Sequence, residues 1–456
     1  MTMEGLASSR MLSRVAALLG KTKSLVTVSS FVSVARIAGA AAGFITQVLL
    51  ARYLQASALG VFYSVVSLVA VAGLVAAYGY PAIAPRFISR YREKGRPDLV
   101  LAFINRARRE ATLYVLIGAV GIVAFGLLWP GLDDVTRMAL IAAAAALPAS
   151  ASLRVNGSFA GSLRRFLLAY LPDTAIRPFL LFFGVLAFIA LGIQFDAADV
   201  TWLVAGITTV IAFAQYALVQ RDVPKLPAAP PPKRLVRIWR REALPLIIVV
   251  MFIEFFADVD ILMLTPFVSQ AEIGIFGVCL KIAVLVGFAV QVAQYIVQPD
   301  LADAHARKSY APIKKAMLKA LGFPLAATLG AMVVFALWGN KLLFLFGPEF
   351  AGAKVPLLIL IVSQLVRALF GPNVALLTVL GAQTQNAILA TCSIAVLFLG
   401  NILLAPAYGA TGAAISVVIA MTFWMVGTSV LLYRLSGLRT DALFLLTGGA
   451  RQSEDG

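Results

Sequence analysis

The sequence predicts an all-α integral membrane protein of about twelve transmembrane helices in two six-helix bundles, and three observations carry that expectation. Of its 456 residues, 61% are hydrophobic and 13% charged, against about 45–50% and about 25% in soluble domains. Polar residues are confined to short runs between apolar stretches of roughly 20, the number a helix needs to cross a bilayer core. Cations crowd into alternate loops, and a short motif recurs half a chain apart.

Taken in order, the apolar stretches lie near 25–50, 58–80, 111–130, 135–157, 171–193 and 198–220, then 243–268, 274–298, 318–338, 352–378, 387–405 and 411–433. The first six form an N-terminal bundle (25–222) behind a basic segment (1–24); the last six form a C-terminal bundle (243–433) followed by a tail (434–456). The N-terminal segment reads as retained, because its apolar run, Val15 to Leu19, is too short for a cleavable signal. Prolines between Val223 and Arg234 forbid a continuous helix and make the 223–242 linker an extended, basic spacer. Pro148, Pro245, Pro356 and Pro372 fall inside spans, where they kink the helix or pack against neighbours.

A net charge of +17 raises the question of a nucleic-acid partner, so the placement of the cations matters. Of the 38 lysines and arginines, 29 lie in the N-terminal segment, the tail and alternate loops, while Arg52, Arg137, Lys341 and Lys354 lie on the opposite side. The positive-inside rule makes the rich side cytoplasmic, places both termini there and leaves no need for nucleic acid. In the longest basic loop, Leu99 to Arg108 is amphipathic and is expected along the anionic inner leaflet. Cys279 and Cys392, both inside apolar segments, make no disulfide framework and are expected in buried packing; the single His305 makes no metal cluster. No cofactor is implied.

Leu54-Gln-Ala-Ser-Ala-Leu-Gly60-Val-Phe62 is echoed by Val268-Ser-Gln-Ala-Glu-Ile-Gly274-Ile-Phe276, and the same offset of 214 carries Pro85 onto Pro299. An offset of six spans preserves direction, which gives parallel repeats about an axis along the membrane normal. Two such bundles enclose a cleft that can open to either side in turn, the geometry of a transporter.

An ionised side chain in mid-span costs about 2.5–3.5 kcal/mol on insertion scales, so each needs a partner, water or a role. Arg36, Arg154, Arg177, Lys281 and Arg367 fall in spans 1, 4, 5, 8 and 10. They converge only if the bundles enclose a hydrated cavity, which would then suit an anionic cargo. Simpler readings exist for two: Arg177 can pair with Asp173 four residues earlier, and Arg154 can snorkel to the interface. Span 7 carries Glu254, Asp258 and Asp260. The first two share a helical face, whereas Asp260 is rotated by roughly 200° from Asp258. These acids either couple transport to H⁺ or Na⁺ or neutralise the cavity cations. Gln291, Gln294 and Gln298 form one stripe, suited to a sugar- or water-lined face.

Ala51-Arg-Tyr-Leu-Gln-Ala-Ser-Ala-Leu-Gly60-Val-Phe, Phe346-Gly-Pro-Glu-Phe-Ala-Gly-Ala353 and Leu404-Ala-Pro-Ala-Tyr-Gly-Ala-Thr-Gly-Ala-Ala414 resemble motifs of bacterial polysaccharide transporters. These are the lipid-linked oligosaccharide flippases of the multidrug/oligosaccharidyl-lipid/polysaccharide superfamily, and the resemblance runs from about residue 25 to 435. It implies a V-shaped pair of bundles in the bacterial cytoplasmic membrane and a polyprenyl-diphosphate-linked O-antigen or exopolysaccharide unit as cargo. It also implies membrane lipid and other polysaccharide-assembly proteins as partners. Arg36 falls where related flippases keep an arginine in the first span, and either Asp258 or Asp260 matches the acid of their seventh. Arg52 belongs to a family-like motif but sits at the outer boundary, where it anchors the interface.

Two other classes compete. An ion-coupled multidrug antiporter shares the superfamily, and five cavity cations against three acids argue for an anionic cargo instead. A membrane glycosyltransferase or polymerase needs sizeable outer loops bearing chemistry; the outer loops here are short, without paired catalytic carboxylates or a nucleotide-binding glycine loop. The expectation is therefore a transporter and not an enzyme.

Overall fold

The computed structural model describes residues 3–226, 230–306, 311–437 and 442, with side chains from 31 onward except at 253, 289, 294–306, 311–320 and 379. Among the described residues every regular element is a helix. Eight helical runs among the described residues are long and apolar enough to cross a membrane. Two of these are too long for one crossing. The 74 residues of α1 (Met3–Ala76) would extend about 110 Å if straight, several times a bilayer core of roughly 30 Å.

The chain breaks α1 at Gln55, whose φ of 62° lies in the left-handed region. Across the break the Tyr63 hydroxyl donates to Gln47 Oε1 at 2.9 Å, so the first two predicted spans form a hairpin. The last two do the same inside α13 (Gln383–Ser436), which breaks at Gly409 with φ 54°. There Gly412 abuts the Leu404 carbonyl, Gly400 abuts Ser416, and Trp424 Nε1 donates to Asn386 Oδ1 at 3.1 Å.

Between the hairpins run α2 (Tyr80–Glu93), α3 (Pro97–Leu128), α4 (Asp134–Ser162) and α5 (Phe166–Leu171). A π turn (Pro172–Ile176) then joins α5 to α6 (Arg177–Ala190), which is followed by α7 (Ala197–Gln220). The second half continues with α8 (Lys233–Leu264), α9 (Gln270–Ala306), α10 (Ala311–Leu343), α11 (Lys354–Phe370) and α12 (Asn373–Val379). Predicted span 5 is thus α5, the π turn and α6; span 10 is α11 and α12, split at Gly371-Pro372. The Asp133 side chain caps α4 by accepting from the Thr136 N–H, and Asp196 with Asp199 forms a capping box on α7.

Two expectations need correction. Leu99 to Arg108 does not lie on lipid: it is the start of α3, and Val100, Phe103, Ile104 and Ala107 are buried in a core with Ile88, Phe159 and Trp239. Its apolar face found a protein partner because α8 begins ten residues before its predicted span and lays Trp239 against it. The Trp239 and Phe103 rings meet edge to face at 5.1 Å, and Trp239 Nε1 donates to the Tyr91 hydroxyl at 3.0 Å. Cysteine burial also divides: Cys279 is buried, whereas Cys392 is exposed.

The halves meet at two ends. At one, the repeated motifs pack on each other: a Cβ on Gly60 would overlap the Gln270 carbonyl, and a Cβ on Gly274 would overlap that of Ala56. Gln270 and Gly274 are Ala56 and Gly60 shifted by 214, so the contact maps onto itself as an isologous interface does. At the other end, Gly79 (φ 68°) meets the Ala243 carbonyl, closely enough that no side chain would fit. Around it Arg86 pairs with Glu242, and the buried Glu110 accepts from Arg106, from Arg240 Nε at 2.9 Å and from the Tyr80 hydroxyl at 2.9 Å. The hydrogen bond to Glu110 raises the proton affinity of Arg240 above its ordinary value.

Candidate functional site

Between these ends lies a cavity of about 740 Å³ lined by both halves. From the first half α4 contributes Arg154, the π turn Asp173, and the first residue of α6 Arg177; from the second, α8 contributes Glu254 and Asp258, and α9 Lys281. Thr201 and Thr208 of α7 and Ser150 of α4 add hydroxyls.

Local structure sets the charged geometry. The π turn inserts one extra residue into the fifth span, a feature often found where helices carry function. It presents Asp173 and Arg177 together, with Arg177 Nη2 3.0 Å from Asp173 Oδ1. In α8 the helix breaks at Phe255 (φ −119°, ψ 17°), between the two cavity acids. The Phe255 ring lies 4.3 Å from the Arg154 guanidinium, and Arg154 Nη1 stands 3.7 Å from Glu254 Oε2, beyond hydrogen-bond length. Arg154 Nε is buried without a hydrogen-bond partner. Ser67 donates to Asp258 Oδ1 at 2.9 Å, tying the second span to the seventh, and Ser64 meets Thr265 at 3.4 Å. Lys281 Nζ lies 5.9 Å from the Tyr63 ring centroid.

Of the five cations expected to converge, Arg154, Arg177 and Lys281 do so, and two do not. Arg36 is exposed on α1, outside the cavity lining. Arg367 is taken up inside the second half: Nη1 donates to Gln364 Oε1 at 3.0 Å, and both pack against Gly287 of α9. The lining therefore carries three cations and three acids, Asp173, Glu254 and Asp258. The charge excess expected of the cavity is corrected to a balance, because two cations face elsewhere and the π turn brings in an acid. Gln291 is exposed and outside the lining. The side chains of Gln294 and Gln298 lie outside the described residues.

Asp260 faces away from the cavity, as its helical angle predicts. It is fully buried, and Asn401 Nδ2 of the α13 hairpin donates to its Oδ1 at 2.8 Å. Asp260 Oδ2 and Asn401 Oδ1 are both buried acceptors without a hydrogen bond. Sequence reasoning missed Asn401, although an amide alone in the run Leu397 to Leu404 was a visible signal. It also missed Glu110, whose only sequence mark was its position four residues after Arg106.

Solved structures share this architecture. A lipid II flippase MurJ in an inward closed conformation aligns with a TM-score of 0.70 and 14% identity, over 88% of this chain and 87% of that one. An inward-facing multidrug resistance MATE family transporter of the MOP superfamily gives 0.66 and 16%, over 87% and 94%. An outward-facing conformation of such a transporter gives 0.54 and 15%, over 88% and 96%. At these identities the likeness establishes the fold alone, and the apolar helices make the chain a multi-pass membrane protein. No curated protein sequence is significantly similar to the chain. A family model described as polysaccharide biosynthesis protein matches residues 28–298, more than half of the sequence, and the chain belongs to that family.

Proposed function

We propose that the protein moves a polyprenyl-diphosphate-linked oligosaccharide, an O-antigen or exopolysaccharide unit, from the inner to the outer leaflet of a bacterial cytoplasmic membrane. A diphosphate-sugar head cannot cross hydrocarbon alone, because its charges and hydroxyls would lose water without replacement. The observation that carries the reading is the shared cavity lined by Arg154, Arg177 and Lys281, in which Asp173 pairs with Arg177 and Glu254 of the other half stands near Arg154. A diphosphate replaces those carboxylates: the Arg154–Glu254 pair is loose, and a guanidinium grips phosphate oxygens with two parallel bonds. The polyprenyl tail stays in lipid. Membership of a polysaccharide biosynthesis family and the likeness to a lipid II flippase support a lipid-linked glycan.

The cation-rich loops support a cytoplasmic placement of both termini and of the Gly79–Ala243 end, and the higher TM-scores with two inward conformations than with an outward one are in keeping with a Gly60–Gly274 end closed to the outside. Among the three acids of span 7, Asp260 is where a coupling cation would act, since its buried Oδ2 has no hydrogen-bond partner and gains one when protonated or ligated. The test is reconstitution with labelled lipid-diphosphate oligosaccharide. Arg154→Gln is expected to abolish its transbilayer movement while expression stays normal; undiminished movement would overturn the reading.

The balanced charge of the lining favours one second reading, an ion-coupled multidrug antiporter. Gradient-driven uptake of a fluorescent organic cation into proteoliposomes, without movement of the lipid-linked glycan, would select it.

A further inference from the structure

A second cleft, of about 810 Å³, lies between α3 and the first turns of α8. Its lining holds six cations, Arg106 and Arg109 of α3 and Lys233, Arg237, Arg240 and Arg241 of α8, and no carboxylate. Glu110, buried behind the wall, binds Arg106 and Arg240 and fixes their direction. The other four make no ion pair among the described residues. The remaining walls are largely apolar, with Tyr78, Val236 and Leu244, and Pro230-Pro231 closes one side.

Topology alone does not account for this arrangement. The positive-inside rule asks only that cations lie somewhere in a loop. Here cations from two separate loops are aimed into one concavity, against their mutual repulsion, and held there by the Trp239–Tyr91 and Glu110–Arg240 contacts. Arg109 stands two residues before the third predicted span and Arg241 two before the seventh, so the predicted spans put both near the lipid headgroups. We propose that this cleft is a second binding site, which takes the phosphate groups of an anionic lipid head while the apolar wall receives the adjoining chain. The proposal goes beyond the transport reading and does not depend on it, since binding is measured without movement across the membrane.

The test uses the purified full-length protein at low salt. Retention of phosphatidylglycerol against phosphatidylcholine is followed by native mass spectrometry, and equilibrium binding is measured for farnesyl diphosphate and inorganic pyrophosphate. Wild type is expected to prefer phosphatidylglycerol. Combining Arg109→Gln, Arg237→Gln and Arg241→Gln is expected to lower phosphate-dependent binding by about tenfold or more, the low end of what a charged cleft contributes to local anion concentration. The same three positions changed to Lys keep the loop charge, so that variant controls for insertion and is expected to stay near wild type. Arg234→Gln removes a basic charge outside the lining and is expected to change nothing. Pyrophosphate binding as tightly as farnesyl diphosphate would overturn the assignment to a lipid; tighter binding of the amphiphiles would support it. Equal retention of phosphatidylcholine, or a Gln triple variant that binds like wild type, would overturn the proposal.

Discussion

The two ends at which the halves touch are built from opposite materials. At the Gly60–Gly274 end backbone meets backbone with nothing between, and among the described residues the polar links nearby reach neutral acceptors: Arg52 Nε donates to the Leu345 carbonyl at 2.7 Å, and Ser64 meets Thr265 at 3.4 Å. At the Glu110–Arg240 end a buried carboxylate collects two arginines and a tyrosine, and Arg86 pairs with Glu242. The first contact is short-ranged: separated by a few ångströms, it loses nearly all its attraction. The second acts over a longer distance and yields to water, salt and protonation. Under the transport reading proposed above, in which each end opens in turn, a dry seam and an ionic clasp would be two gates that respond to different stimuli.

The sharpest way to break that comparison is to fill the seam. Gly60→Leu places a side chain where a carbonyl already stands, and overpacking without room to relax is expected to cost more than about 3 kcal/mol; thermal unfolding and transport activity should both fall steeply. Next is Glu110→Gln, which keeps the shape and removes the charge. Hydrogen bonds to a charged group contribute about 1.5–3 kcal/mol, so the clasp should loosen. In a Cys392→Ser background, a cysteine introduced by Ala243→Cys should react faster with a membrane-impermeant thiol reagent when Glu110 is also changed. A smaller effect separates the ends by salt. Raising ionic strength from 0.1 to 1 M shortens the screening length from about 10 to about 3 Å, which should speed labelling at Ala243→Cys and leave a reporter beside Gly60 unchanged.

The smallest effect is a control on the same face. The Arg96 hydrogen bond holds the Asp98 carboxyl below its ordinary range. A lowered value means the pair contributes fully above that range and is lost as pH falls through it. Both side chains are exposed, so solvent screens the pair. Asp98→Asn should leave the unfolding midpoint unchanged at neutral pH, and a large drop would show that surface pairs here matter as much as the clasp.

Twelve crossings were legible because apolar length is a local property, and the opposed directions of Asp258 and Asp260 follow from helix geometry alone. So does the Asp173–Arg177 pair. Which cations converge is not local. Arg367 and Arg154 were each a lone arginine inside a predicted span, yet one is absorbed by Gln364 and the other opens onto the cavity. The π turn was marked only by Pro172 at its start and Pro178 just beyond it, which the sequence reading passed over, and the break at Phe255 carries no distinctive residue pattern, so the balanced charge of the lining was not read in advance. Glu110 was hidden for a related reason: an acid among arginines looks solvated until Trp239 and Tyr80 arrive from other segments to bury it.

The seam at Gly60 and Gly274 also bears on ancestry. A contact that returns to itself under a shift of 214 positions is one that a half-length forebear would have made with a second copy of itself, each substitution striking twice. Fusion of two such copies would free the two sides to diverge. Ala56 now stands where its counterpart is Gln270, while both glycines persist. A present-day six-crossing relative, if it dimerises, should do so through this patch.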